Sequence, residues 1–495
     1  MSRRQFVGST VTAISGITLV PSTVISGLGY TAPSDKLNVA GIGVGGMGFS
    51  NLKNLESENI VALCDVDWGY TGGNGVFDKY PKAKKFYDWR KMYDEIGDEF
   101  DAVVIATADH THAIIAAHAM TMGKHVYLQK PLTHSVYESR LMTNLAAEYK
   151  VATQMGNQGA SGSGVAETAE IIASGAIGEI TRVDSFTDRP IWPQGLNIPE
   201  GVDQIPDTLN WDLFTGPAVM NDFNKVYHPW NWRGWWDYGT GALGDMACHI
   251  LHPVFEGLQL GYPIKVQGSS TLLLTKSAPA AQAVKLIFPA REKFGNTNMP
   301  EVEINWYDGG IKPMMPANWP AGKSMNNSGG GSIFYGTKDT LHVGCYGLDP
   351  WLLSGKKPEV KQSLRRVETE IGKSWGEGAH EMDWVRACKE TPENRVPTIS
   401  DFSRSGPFNE MVVMGVLAVR LQSLNKELEW DGENMKFTNI SDSEKIRTVI
   451  KDGFTIHDGH PSFQKDWTEP ESAVAFSQEL IKHNYREGWS LPDMP

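Results

Sequence analysis

Asp245 and His249 stand four residues apart in the segment NWRGWWDYGTGALGDMACHILHP (231–253), which is otherwise rich in glycine, alanine and tryptophan. A helix places residues i and i+4 on one face. The carboxylate and the imidazole would therefore project together. Such a pair can move a proton, because an imidazole titrates near neutrality and a carboxylate can orient it or a substrate hydroxyl. The same two residues would equally suit a helix cap followed by a satisfied core histidine, and nothing local decides between these readings. Asp245, His249 and His252 also read D-x-x-x-H-x-x-H, a set that could ligate a metal. Pro253 disturbs the helix at His252 and no further ligand cluster is evident, so no metal is expected.

A second reactive residue is Lys130. In GKHVYLQKPLTHS an apolar strand, Val126 to Leu128, runs into Gln129-Lys130-Pro131. An open α/β sheet binds its ligand just past the carboxyl ends of its strands. Pro131 biases Lys130 towards an extended backbone. A lysine held there fits a proton donor or an anchor for a substrate hydroxyl better than an ordinary surface lysine.

The element that would place a cofactor against Lys130 is upstream. The apolar run Leu37 to Ile42 reads as a buried parallel strand and leads into Gly43-x-Gly45-x-x-Gly48, with a helical pattern from about Met47. A GxGxxG is informative only in this strand–turn–helix setting. Gly43 allows the tight turn, Gly45 lets the backbone approach a pyrophosphate, and Gly48 lets the helix pack on the strand. The helix N-terminus offers free N–H groups to phosphate. A second strand, NIVALCDVD, ends in Asp65, 17 residues past Gly48. A carboxylate there accepts hydrogen bonds from both adenosine ribose hydroxyls and repels a 2′-phosphate, which favours NAD over NADP.

The rest of the chain sets the context. Its 495 residues allow two or three domains. A net charge of −13 argues against nucleic acid or an anionic membrane as partner. The four cysteines, Cys64, Cys248, Cys345 and Cys388, are scattered and give neither a zinc ribbon nor a disulfide framework. No run is long and apolar enough to span a membrane. At the start, SRRQF and a weakly apolar stretch from Val7 to about Leu28, with no acidic residue before Asp35, form the pattern of a twin-arginine export signal. A periplasmic protein, exported folded, is expected.

The ordered set GIGVGGMG, ALCDVD, ATADHTH, GKHVYLQKPL, QMGNQG and GALGDMACH resembles the Gfo/Idh/MocA oxidoreductases, above all an exported branch with TDRPIWPQG and a closing YREGW. The likeness runs from about Leu37 to Trp489. It implies an α/β fold with an N-terminal Rossmann domain and a C-terminal α/β domain built on a large, open, mostly antiparallel sheet. It implies NAD(P)-dependent oxidation or reduction of a hydroxyl or carbonyl on sugars, cyclitols or related polyols, and homo-oligomers formed through the C-terminal sheet. The family's lysine in E-K-P falls on Lys130, and its D-x-x-x-H falls on Asp245 and His249. The cofactor-binding set implied is Gly43, Gly45, Gly46, Met47, Gly48, Asp65, Thr107, Asp109, His112, Gln129, Lys130 and Gln158. Three departures stand out: Gln129 in place of glutamate, Ala108 in place of a common proline, and an extra segment of about 442–470 whose His457 and His460 find no place in the pattern.

The domains are then an export signal (1–33), a Rossmann domain (34–155), a substrate domain (156–440) and a C-terminal extension with a closing helix (441–495). Strands are expected at 264–274, 283–288, 301–307 and 332–346, and helices at 113–122, 165–174, 240–258, 379–390 and 405–425. Substrate-facing candidates are Arg189, Trp192, Arg233, Trp235, Tyr238 and His380, each as well suited to a structural role. His249 is the expected base, needing no large pKa shift, with Asp245 orienting it or a hydroxyl and Lys130 stabilising negative charge on the reacting oxygen. Export implies NAD bound beforehand and retained. The cofactor would then be restored by a second sugar or by a redox-neutral cleavage of a glycoside through transient C3 oxidation. A sugar-binding protein with a vestigial NAD site is the remaining alternative.

Overall fold

The computed structural model describes residues 35–495; the twin-arginine segment lies outside the described residues. Six short strands form the first sheet: β1 (Asn38–Ile42), β2 (Asn59–Cys64), β3 (Lys84–Phe86), β4 (Ala102–Ile105), β5 (His125–Leu128) and β6 (Thr153–Met155). Their order is β3-β2-β1-β4-β5-β6, all parallel. The order reverses between β1 and β4, which opens a crevice at their carboxyl ends. Helix Met47–Asn54 starts directly from the glycine turn. The helix expected from Ala113 begins four residues earlier, at Asp109, so Asp109 and His112 belong to its first turn. Helix Val136–Tyr149 is fixed by a capping box between Ser135 and Glu138.

The second sheet has nine strands: β7 (Ile180–Thr187), β8 (Lys265–Ser270), β9 (Gln282–Phe288), then, past a small hairpin β10 (Arg291–Phe294) and β11 (Thr297–Met299), β12 (Val302–Tyr307), β13 (Gly330–Gly336), β14 (Thr340–Gly344), β15 (Trp351–Leu352), β16 (Leu428–Asp431) and β17 (Lys436–Phe437). Only β7 and β12 pair in parallel; every other neighbour is antiparallel. Strand β9 alternates buried and half-buried residues, as a sheet with one covered face requires. Its buried residues Val284, Leu286 and Phe288 join the same core as Val412, Val416 and Val419 of helix Phe402–Arg420.

Several expectations change in detail. The single helix expected over 240–258 is two, Gly241–Ile250 and His252–Gly257, broken at Leu251 with Pro253 in the first turn of the second. The strand expected over 332–346 is the β13–β14 hairpin. Helix Ala379–Lys389 returns to the first sheet, where Trp384 and Val385 pack among Leu37, Val39 and Val104. The extra segment forms an exposed hairpin, Val449–His457 with His460–Trp467, which puts His457 and His460 opposite each other at its tip. The closing helix is Ala473–Ile481; YREGW follows it as irregular chain, and its Arg486 binds Gly216 and Asp212.

Candidate active site

Gly43, Gly45 and Gly48 of the glycine turn leave no room for side chains. Gly43 has φ +74°, and a Cβ there would lie 2.7 Å from the Ala106 backbone; one on Gly45 would lie 2.7 Å from the Tyr70 ring. Helix Met47–Asn54 has no side-chain cap, so its first N–H groups stay available to an anion. Asp65, just past β2, accepts hydrogen bonds from the N–H of Gly45 (2.9 Å) and of Asp67 (3.1 Å), and burial raises its pKa. These residues wall a cleft of about 320 Å³, which Gly46, Met47, Thr107, Gln129 and Lys130 also line. Its far wall comes from the other domain: Phe214, His228, Trp230, Trp232 and Arg233. The glycine turn, the uncapped helix start and a carboxylate at the second strand end fit NAD.

At the inner end, Lys130 Nζ lies 2.5 Å from Asp245 Oδ1 and also donates to the Asp245 carbonyl (3.2 Å). Arg233 Nε lies 3.3 Å from the same Oδ1, with its guanidinium 4.5 Å over the Trp232 ring. Asp245 is desolvated, but its two cations outweigh this and hold its carboxyl well below the usual range. Lys130 follows the first sheet and Asp245 sits on helix Gly241–Ile250, so the contact joins the two domains.

His249 is a turn further along the helix. Asp245 does not orient it: that carboxylate is engaged by Lys130 and Arg233. Burial, then the Lys130 charge, pulls the imidazole down to about 3, so it is neutral at physiological pH rather than poised near 7 as its free value suggested. Its Nδ1 is buried without a hydrogen-bond partner, and its ring lies 4.6 Å from that of Tyr346.

The other candidates divide. Asp109 does not line the cleft. It accepts from the N–H (3.1 Å) and hydroxyl (2.7 Å) of Thr240, tying the start of the Asp245 helix to the Rossmann domain. The His112 ring lies between the carbonyls of Pro131 (2.8 Å) and Thr107 (3.1 Å), bracing both loops that line the cleft. Gln158 lies outside the cleft lining. Trp235 and Tyr238 are core residues, buried with Trp211, Phe214 and Tyr227. His380 is fully buried, held by Ser161 Oγ (2.7 Å) and the Met155 carbonyl (2.8 Å). Trp192 is buried too, its indole N–H bonded to Gln194, and stands edge-on to Trp230. Arg189 pairs with Asp188. Tyr70, His228, Trp230 and Trp232 were not anticipated. His228 binds Asp67 (2.9 Å), and the His228-Pro229-Trp230 run in a tryptophan-rich stretch before the Asp245 helix was the available signal. Among the described residues, no group of three or more histidine, cysteine or acidic residues could hold a metal.

Two family models match: the Gfo/Idh/MocA oxidoreductase family, NAD-binding Rossmann fold, over residues 37–157, and the C-terminal alpha/beta domain of that oxidoreductase family over residues 163–270. The chain is 28% identical to a levoglucosan dehydrogenase of Pseudarthrobacter phenanthrenivorans over 33% of its own length, spanning only 34% of that relative. It is 28% identical to an inositol 2-dehydrogenase of Salmonella paratyphi B over 56% of its length and 88% of the relative. A glycosyl hydrolase family 109 protein of Akkermansia muciniphila matches at 29% over 24% of the chain and 26% of the relative. The fold superposes on the WlbA dehydrogenase of Chromobacterium violaceum with a TM-score of 0.53 and 15% identity, covering 80% of this chain and 96% of that one. The chain belongs to the Gfo/Idh/MocA oxidoreductase family, with the NAD-binding Rossmann domain at residues 37–157.

Proposed function

We propose that this protein is an NAD-dependent sugar or glycoside dehydrogenase, acting on a ring hydroxyl at C3, with Lys130, Asp245 and His249 as its catalytic residues. The observation that carries this reading is Lys130 and Arg233 converging on Asp245 where the NAD-binding cleft ends. The levoglucosan and inositol dehydrogenases among its relatives support the substrate class.

Gly43, Gly45 and the Met47–Asn54 helix start would hold the pyrophosphate, and Asp65 the adenosine ribose. Bound NAD would accept hydride from the carbinol carbon. Lys130 donates a hydrogen bond to the reacting oxygen and stabilises negative charge as it develops. His249 takes the hydroxyl proton, and Asp245 aims Lys130 through their 2.5 Å contact. The neutral imidazole is in the accepting state, but a weak base at rest. Its proton transfer is favourable only together with hydride departure, while the two nearby cations lower the alcohol's own pKa. Trp230, nearly half exposed, offers an aromatic face to a sugar ring.

A second reading, redox-neutral cleavage of a glycoside by the same residues, is favoured by the match to a glycosyl hydrolase family 109 protein. The export reading supports NAD that is bound in the cytoplasm and retained in the periplasm. Assembly into a homo-oligomer through the nine-stranded sheet belongs to the same proposal, tested by light scattering. The enzyme readings separate on a panel of sugars and glycosides. A dehydrogenase gives one equivalent of reduced nicotinamide and turns over only when a keto-sugar is added. A redox-neutral enzyme releases aglycone continuously without net reduction. NAD-loaded protein that does neither contradicts both.

A further inference from the structure

Tyr346 is an unusual neighbour for His249. It sits in the Cys345–Gly347 turn after β14, with φ 63° and ψ 13°, a left-handed conformation that residues with a Cβ seldom adopt. Such conformations persist where surrounding structure imposes them. Here the imposition is visible on two sides. Gly159 closes one: a Cβ there would lie 2.8 Å from Tyr346 Cβ. Trp375 closes the other, stacked on the Tyr346 ring at 5.2 Å and 25°. Gly164 lies so close beneath the Gly347 carbonyl that a Cβ would collide with it, and Gly162 makes room for Trp375. Three glycines thus seat one tyrosine against one histidine.

His249 has few other means of orientation. Its Nδ1 is buried with no acceptor, and the Asp245 carboxylate a turn away is committed to Lys130 and Arg233. The groups whose charge reaches the imidazole are Lys130, Asp245, His252 and Arg233; of these only Asp245 favours its protonation. An imidazolium formed here would therefore have an unsatisfied Nδ1–H and two cations nearby. What remains to receive it is the Tyr346 ring, 4.6 Å away between centroids and tilted by 49°. That distance is within cation–π range.

We propose that Tyr346 is a positioning residue, whose ring face sets the orientation of His249 and stabilises the imidazolium formed when Nε2 takes the substrate hydroxyl proton. The proton passes from the substrate O–H to Nε2 as hydride leaves the carbinol carbon for the nicotinamide, so charge and electrons balance within the site. This inference rests on His249 being the proton acceptor in the function proposed above.

The test compares Tyr346→Leu, Tyr346→Phe, Gly159→Ala and His249→Ala in NAD-loaded full-length protein, using the panel sugar that best reduces the cofactor. Bound NAD is measured in each. Tyr346→Leu is expected to lower kcat by roughly 10-fold to 30-fold, the scale of a desolvated cation–π contact, with KM changed less than about 3-fold. Tyr346→Phe, which keeps the ring, should recover all but about 3-fold of that loss. Gly159→Ala, which pushes Tyr346 off its seat, should lower kcat in the same direction, and it decides the matter if the leucine variant does not fold. The proposal is overturned if kcat of the leucine variant stays within twofold, if phenylalanine is as poor as leucine, or if the loss falls on KM. Full activity in His249→Ala would instead overturn the underlying assignment of the base.

Discussion

Lys130 and Asp245 meet at 2.5 Å, one residue contributed by the end of the first sheet's turn and the other by a helix of the second domain. Both side chains are about nine-tenths buried, 11% exposed each. A buried ion pair whose partners come from two domains fixes their separation, and here it does so where the cofactor cleft ends.

Breaking that pair has two expected consequences. Asp245→Asn leaves Lys130 and Arg233 without their shared counter-charge, and should destabilise the fold by about 3 kcal/mol in denaturant titrations. Because the Asp245 carboxyl is held below its usual range, its contribution is present above about pH 4 and disappears as the pH falls through the lowered value. The asparagine variant should lose that part of the acid slope.

The buried histidines set a broader pH dependence. His110, His112 and His125 are held near 4, and His249 and His252 near 3, chiefly by burial. The unfolded chain takes up protons on these rings near 6.5 while the folded chain does not. Stability should therefore fall as pH drops from about 6.5 towards 4, each histidine contributing up to about 1.4 kcal/mol per pH unit. Asp109 and Asp308, raised by burial to about 6 and about 7, work in the opposite direction. Unfolding midpoints measured at pH 7 and pH 5 check the sign; a higher midpoint at pH 5 contradicts it.

Cofactor retention should depend on Asp65 and Gly43. Asp65→Ala removes both the ribose acceptor and the carboxylate that holds the Gly45 N–H, so denatured protein should release much less than one NAD per chain. Gly43→Ala faces positive φ and a 2.7 Å approach to the Ala106 backbone, and should empty the site. Retention of a full equivalent by both variants would place NAD elsewhere.

Export is tested by Arg3→Lys with Arg4→Lys, which should trap the chain in the cytoplasm. Normal export of the double variant would remove the reason for a permanently bound cofactor.

Much of this was legible from residues alone. The strand–glycine–helix order, Asp65 at a strand end and Lys130 past another strand end follow from local geometry that a Rossmann sheet repeats. Spacing also placed Asp245 and His249 on one helix face. It could not say what each would face: Arg233 reaches Asp245 through the tertiary fold, and Tyr346, 97 residues beyond His249, carries no local sign of its contact. Trp235 and Tyr238 stood as substrate-facing candidates with a structural role equally open, because aromatic side chains suit a sugar site and a core alike; only packing tells them from Trp230. His380 likewise found its partners, Ser161 and Met155, more than two hundred residues away in sequence. The β13–β14 turn was missed because two antiparallel strands joined by few residues share one apolar pattern.

The most direct measurement follows the hydrogen itself. A substrate sugar carrying deuterium on the carbinol carbon is mixed with NAD-loaded protein in a single turnover, and the released cofactor is weighed by mass spectrometry. The cofactor should gain one deuterium, while Lys130→Ala and His249→Ala slow that gain by roughly 10²-fold to 10⁴-fold. Turnover of the sugar with no deuterium appearing in the nicotinamide, or transfer at full rate in both variants, would contradict the account.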